Sequence, residues 1–306
     1  MPQWIEISLR VDGEAAEAVA QELHKFCTQG VAVEQDGIMP NAWDDGEVPP
    51  PEYLIVRGYF PDDDNAEHTR QQINQVLRYL NMMYPVGEPV YKQVKDEDWA
   101  EAWKAHYKPV RIGQRMLIRP RWIEVETAAN DVLISLDPGM AFGTGTHPTT
   151  QLCLEALEET VRPGVQVLDL GCGSGILSIA ALKLGAAHVL ALDIDPVAVD
   201  VTAENAADNG VADRVTAQTG SLESVVSSSR RFDLIVVNIL AKVIIPMCDN
   251  HLGETVRPGG IGIFSGLIDE QADDVEAALR RTGLVPQRRY TQGDWVAIVA
   301  QRPASV

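Results

Sequence analysis

One nine-residue run constrains this chain more than any other. Val167-Leu168-Asp169-Leu170-Gly171-Cys172-Gly173-Ser174-Gly175 leads directly into an apolar stretch from Ile176 to Leu184. A short, nearly continuous apolar run bounded by a turn fits a strand buried on both faces. A helical stretch straight after the glycines makes it the opening of a β-α-β unit. The same alternation recurs around it. Val165 to Leu170, His188 to Leu192, Arg214 to Thr219, Leu234 to Val237 and Ile261 to Phe264 are strand-like runs separated by helical spacing. From about residue 130 onward this pattern predicts an α/β fold, a doubly wound parallel sheet with helices on both faces. Val285 to Tyr290 and Trp295 to Ala300, joined at Thr291-Gln292-Gly293-Asp294, are expected as a terminal antiparallel hairpin added to that sheet.

The first 95 residues read differently, in the order strand, helix, strand, strand, helix, strand. Trp4, Ile5, Ile7 and Leu9 open a strand, and Val19, Leu23 and Phe26 mark a helix over Ala15 to Phe26. Val31 to Val33 and Tyr53 to Phe60 are further strands, Ile73, Val76, Leu77 and Leu80 a second helix, and Val90 to Val94 a closing strand. The stretch Asn41 to Glu52, with clustered acids and Pro49 to Pro51, reads as a loop. This order predicts a small α+β, ferredoxin-like domain, a split β-α-β sheet with two helices on one face. Residues 96 to 108 (DEDWAEAWKAHYK) read as a connecting helix, with acids at its N-terminal end and Lys104 and Lys108 toward the other. The expected organisation is therefore 1–95 for substrate recognition, 96–110 as linker and 111–306 as the catalytic domain.

Charge and composition narrow the function classes. With 25 basic and 44 acidic residues the net charge is −19, which repels bare nucleic acid and anionic membranes and attracts basic proteins. Lys104 to Arg121 runs against this trend, with six basic residues and no acidic one; a solvated strand edge or contact with an acidic partner would each explain it. There is no apolar run of 18 residues or more, and no basic-then-apolar leader at the N-terminus. Cys27, Cys153, Cys172 and Cys248 are scattered without a Cys-x-x-Cys pair. Reduced thiols, a cytoplasmic location and no metal are the expectation.

The chemistry is written at four places. Glycines at 171, 173 and 175 let backbone approach a ligand, and their amides are expected to face a nucleotide-like molecule. The G-x-G-x-G spacing, with Ile at 176, differs from the G-x-G-x-x-G of dinucleotide enzymes. Asp193, twenty-two residues past Gly171 at the end of the next strand run, can accept from ribose hydroxyls, and Asp195 before Pro196 can cap the following helix. Asn238 ends the run Phe232 to Val237 and offers an amide oxygen to an amine nucleophile. Leu136 to Thr150 (LDPGMAFGTGTHPTT) is dense in Gly and Thr and suits a loop that closes over a ligand. His147 within it is either a base or a structural side chain.

Together, DPGMAFGTGTHPTT, DLGCGSGILSIAALKLGA, DIDP, ENAADNG and VVNILA resemble the ribosomal protein L-eleven methyltransferase family over roughly residues 95 to 300. The resemblance implies a class I methyltransferase, Rossmann-like sheet. It implies S-adenosylmethionine as methyl donor, with S-adenosylhomocysteine as product, and lysine and N-terminal amines of a basic ribosomal protein, L-eleven, as acceptors. It places donor contacts at Thr150, Gly171, Asp193 and Asn238; Gly173, Gly175 and Thr144 are expected beside them, and Asn238 with loop carbonyls near Phe142 is expected to orient the amine. Val237 stands where the family has Ala, a small change that leaves Asn238 in place. No Pro-Pro-aromatic follows Asn238, which argues against nucleic-acid bases as substrates. A monomer without membrane or sequence-specific nucleic-acid contacts is expected. The alternatives are an amine methyltransferase acting on another basic protein, a nicotinamide oxidoreductase, and a binding module without chemistry.

Overall fold

The computed structural model describes residues 3–27, 31–35, 53–82, 84–95, 108–136, 143 and 145–304. The chain divides into two compact units, one reaching to Lys108 and the other beginning at Pro109. That division falls within the stretch read as the linker. The helix expected over 96–108, apart from Lys108, and the loop expected over 41–52 lie outside the described residues.

The first unit contains β1 (Gln3–Val11), α1 (Gly13–Leu23), β2 (Val31–Gln35), β3 (Leu54–Pro61), α2 (Ala66–Leu80) and β4 (Val90–Lys95). Its strands lie in the order β2-β3-β1-β4, with every pair antiparallel. Period-two alternation sends Ile5, Ile7, Leu9 and Val11 to one face, where they join Val56 and Phe60 and the apolar stripes of both helices. The opposite face carries Glu6, which accepts from Arg57 at 2.9 Å and from the Tyr59 hydroxyl at 2.9 Å. Asp12 caps α1 by accepting the Ala15 amide at 2.7 Å.

The second unit opens with a three-stranded sheet, β5 (Val110–Ile112), β6 (Met116–Arg119) and β7 (Val132–Ser135). The sequence reading did not anticipate it, because its strands are only three or four residues long. There follow α3 (Pro148–Thr160), β8 (Gln166–Leu170), α4 (Ile176–Lys183), β9 (His188–Asp193), α5 (Pro196–Asp208), β10 (Val215–Thr219), α6 (Leu222–Ser227), β11 (Phe232–Asn238), α7 (Ala241–Asp249), β12 (Val256–Ile268), α8 (Asp269–Arg281), β13 (Val285–Gln292) and β14 (Trp295–Gln301). They build one seven-stranded sheet, ordered β10-β9-β8-β11-β12-β14-β13. The first five strands are parallel; β14 then pairs antiparallel with both β12 and β13. Two residues, Gly293 and Asp294, make the hairpin turn, and Gly293 takes the positive φ that such a turn requires.

The near-continuous apolar runs are explained by two cores. On one face Val167, Val189, Ala191, Leu234 and Val236 pack with α3 and α4; on the other Leu168, Leu170, Leu190, Ile235 and Val237 pack with α6, α7 and α8. Strand β8 sits between β9, where the chain goes next, and β11, to which it later returns. The carboxyl ends of β8 and β11 therefore border the crevice at which an open parallel sheet holds its ligand.

Candidate functional site

The glycine turn after β8 runs Gly171 to Gly175, and all three of its glycines have positive φ. Gly171 shows why: a Cβ there would lie 2.6 Å from Ile239 Cγ2. Four of the turn's five amides donate within the protein instead of facing a ligand as the sequence reading expected. Gly171 and Cys172 donate to the Leu192 carbonyl at 2.8 and 3.0 Å, Gly175 donates to the Cys172 carbonyl at 2.8 Å, and Gly173 donates to Asp193 Oδ2 at 3.0 Å. The physical reason is that the turn is stitched to the end of β9. An anion-binding loop aims its N–H groups outward; here most of them are taken up within the protein, and the Asp193 carboxylate stands beside the turn.

Asp193 is half-buried at the end of β9. Its Oδ2 holds Gly173 and its Oδ1 accepts the Asp195 amide at 3.0 Å, so the carboxylate is locked in one orientation with lone pairs to spare. Asp195 is the N-cap of α5, accepting the Val197 amide at 2.9 Å, with Pro196 in the first turn. Between these two acids Ile194 stands 79% exposed, with Val197 beside them 42% exposed. Sequence reasoning missed this pair; the signal was an apolar residue wedged between two aspartates at a strand end.

Asp169 lies inside β8, fully buried on the α4 face. Ser178 donates to its Oδ2 at 2.6 Å, while Oδ1 has no hydrogen-bond partner among the described residues. Burial, and secondarily the charge of Asp193, push its carboxyl up to about 7 against the Ser178 hydrogen bond. Asn238, two positions further along the crevice on the neighbouring β11, also has a buried side-chain oxygen without a partner. Thr150, in the first turn of α3, has a buried hydroxyl in the same condition. Three unsatisfied oxygens are costly unless a ligand meets them. S-adenosylmethionine carries a sulfonium and an ammonium, ribose hydroxyls and a flat base. The carboxylates, the amide oxygen and the exposed Ile194 fit these groups.

His147 is the N-cap of α3. Its ring accepts the Thr149 amide, lies 2.8 Å from Thr149 Oγ1 and packs edge-on against Trp295 at 4.8 Å between centroids. Burial lowers its pKa to about 4, so at neutral pH it is an uncharged cap, the structural one of its two readings. Thr150, Gly171, Gly173, Gly175, Asp193 and Asn238 all belong to the second unit, on α3, the glycine turn, β9 and β11. Phe142 and Thr144 lie outside the described residues, while Gly143 between them is described.

Residues 3–303 match the family model described as "Ribosomal protein L11 methyltransferase". A protein of that name from Herpetosiphon aurantiacus is 44% identical, over 98% of this chain and 99% of its own length. One from Chloroflexus aurantiacus is 43% identical, covering 98% of each. A crystal structure titled as a ribosomal protein L11 methylase, from Lactobacillus delbrueckii subsp. bulgaricus, superposes with a TM-score of 0.60 at 35% identity, over 64% of this chain and all of that one.

Proposed function

The chain belongs to the ribosomal protein L11 methyltransferase family, and on that premise we propose that it methylates lysine side-chain and N-terminal amines of ribosomal protein L11. The observation that carries this reading is the buried Asn238 oxygen, without a hydrogen-bond partner among the described residues, at the carboxyl end of β11 beside the glycine turn. An acceptor there can take an N–H from an incoming amine and aim its lone pair.

S-adenosylmethionine, when bound, supplies a methyl group on a sulfonium, a strong electrophile. The protein's work is to bind, orient and desolvate. Asp193 would hold the ribose hydroxyls with its free lone pairs, and Ile194 would cover the flat base. Gly171 and Gly175 let the turn pack against Ile239 and Thr202, where a Cβ would clash; with Gly173 they would line the donor, and Thr150 and Thr144 are the hydroxyls assigned to it. Asn238, with carbonyls near Phe142, positions the amine for in-line attack.

The two classes of amine differ in what they demand. A lysine ammonium with a pKa of about 10.4 must lose its proton at a cost of roughly 4 kcal/mol near pH 7.4; an α-amine of about 7.8 needs only about 0.5 kcal/mol. Bulk water takes the proton before the amine enters. A net charge of −19 favours a basic protein as substrate and disfavours sequence-specific nucleic-acid contacts. The enzyme acts as a cytoplasmic monomer, with the first unit holding the substrate protein.

The test is mass spectrometry of purified large-subunit ribosomal proteins after incubation with the enzyme and S-adenosylmethionine. Whole-methyl mass gains at lysine or N-terminal amines of L11 are expected. Donor binding with no gain on any ribosomal protein would remove the substrate assignment, and a gain on a different basic protein would replace it.

A further inference from the structure

The ENAADNG segment at the end of α5 takes no part in the reaction described above, yet its asparagines hold the site together. Asn205 is 2% exposed. Its Nδ2 donates to the Ser174 carbonyl at 2.8 Å, and its Oδ1 accepts from Arg121 at 3.3 Å. One turn earlier Thr202 donates to the Gly173 carbonyl at 3.0 Å. One turn later Asn209 grips β7 at both ends of one residue, accepting the Ser135 amide at 2.9 Å and donating to the Ser135 carbonyl at 2.7 Å. Thr202, Asn205 and Asn209 share one helix face by their spacing. They bind consecutive carbonyls of the glycine turn and the end of the strand that leads into the 136–147 segment.

Ser174 completes the connection. Its hydroxyl, 5% exposed, donates to the Gly143 carbonyl at 2.6 Å. Gly143 has φ +102°, and a Cβ on it would lie 2.8 Å from that same hydroxyl oxygen, so the approach requires glycine. The glycine turn is thus joined to Gly143 by the Ser174 side chain, whose own backbone is fixed by Asn205.

We propose that Asn205 is a positioning residue for methyl-donor binding: it fixes Ser174 in the glycine turn, and the Ser174 hydroxyl in turn holds the Gly143 carbonyl beside that turn. This rests on the reading that the chain binds S-adenosylmethionine. Packing alone would need neither a buried amide oriented by two partners nor a hydroxyl aimed at a glycine carbonyl.

The experiment uses the full-length protein, Asn205→Asp, Ser174→Ala and the double variant. Asp keeps the volume and the acceptor facing Arg121, but replaces the donor to Ser174 with an acceptor that repels its carbonyl and adds a charge; Ser174→Ala breaks the same connection without a charge change. S-adenosylmethionine affinity by calorimetry, donor KM, kcat and melting temperature are measured on each. Each single variant is expected to raise donor Kd and KM about tenfold, with a smaller change in kcat. The double variant should bind no more weakly than the weaker single one, because both changes break one connection. Donor affinity unchanged in the single variants, with only the melting temperature lowered, would overturn the inference; so would losses that multiply to about a hundredfold. If Asn205→Asp does not fold, Ser174→Ala decides alone, and wild-type affinity in it sinks the idea. Failure of the wild-type protein to bind S-adenosylmethionine would instead strike the reading underneath.

Discussion

The roles proposed for Asn238, aiming the amine, and for Asp193, holding the donor ribose, are separable by single substitutions. Asn238→Ala removes the amide oxygen that aims the amine and leaves the carboxylate at β9 untouched. A fall in kcat of about a hundredfold is expected, the scale of misaligning a nucleophile, with a smaller rise in donor Kd from the lost donor contact. Full turnover in that variant would remove Asn238 from the mechanism. Asp193→Asn keeps the shape but loses the charge-assisted bonds to ribose, about 2 kcal/mol, so donor KM should rise roughly thirtyfold; an unchanged KM would reassign Asp193 to holding the turn. The buried pair Asp169 and His147 adds a pH signature. Asp169 is raised to about 7 and His147 lowered to about 4, each by burial. Between about pH 4 and 6.5 the unfolded chain binds a proton at His147 that the folded one refuses, so that group costs stability as pH falls. Over the same window the folded chain holds a proton on Asp169 that the unfolded one has released, so that group adds stability as pH falls. The two slopes, about 1.4 kcal/mol per pH unit each, oppose one another. In Asp169→Asn only the histidine term remains, and urea stability measured at pH 4.5, 5.5 and 6.5 should fall toward acid more steeply than wild type. Parallel pH profiles would contradict the assignment.

Among elements, α5 and the turn before α4 are where local sequence and tertiary demand coincide. Asp195→Ala deletes the cap of α5 and should cost about 1 kcal/mol, read as a shift in urea midpoint with an unchanged slope; no shift would mean that Pro196 and packing alone start the helix. Gly171→Ala meets both a left-handed backbone and the Ile239 methyl 2.6 Å away, and should cost about 1–3 kcal/mol. The same places explain what the sequence could reveal. Val167 to Leu170 and Leu234 to Val237 are legible as strands because both their faces are buried, leaving no polar interruption. Strand β12 is longer than the expected Ile261 to Phe264, running from Val256 through Pro258, Gly259 and Gly260, residues that locally read as a turn but that pairing of Val256 with Phe232 draws into the sheet. Asp193 and Asn238 were legible because strand ends follow from the runs themselves. The inward direction of the glycine amides was not, since it depends on where the Leu192 carbonyl lies. Nor was the grip of Asn205 and Asn209, because residues thirty to seventy positions apart meet there.

At the scale of the whole molecule, each unit closes its own core. The apolar cluster of the first unit runs from Ile5 to Leu80 in sequence, with Tyr84, Val86 and Tyr91 against it; both clusters of the second draw only on residues from Val110 onward. A core of that kind is what allows a domain to fold alone. Every described residue assigned to the donor or to the amine lies in the second unit, so cutting the chain at the Lys108/Pro109 division should separate donor binding from substrate choice. A fragment of residues 109–306 is expected to fold cooperatively and bind S-adenosylmethionine within a few-fold of the full chain. Its transfer to intact L11 should drop by at least about a hundredfold, through KM for the protein, because what is lost is a binding surface while the reacting groups stay in place. A short amine-bearing peptide, which has little surface to be recognised, should be methylated equally slowly by fragment and full chain. If the fragment instead methylated L11 as well as the full chain does, recognition would belong to the rim of the catalytic sheet, and the first unit would need another role.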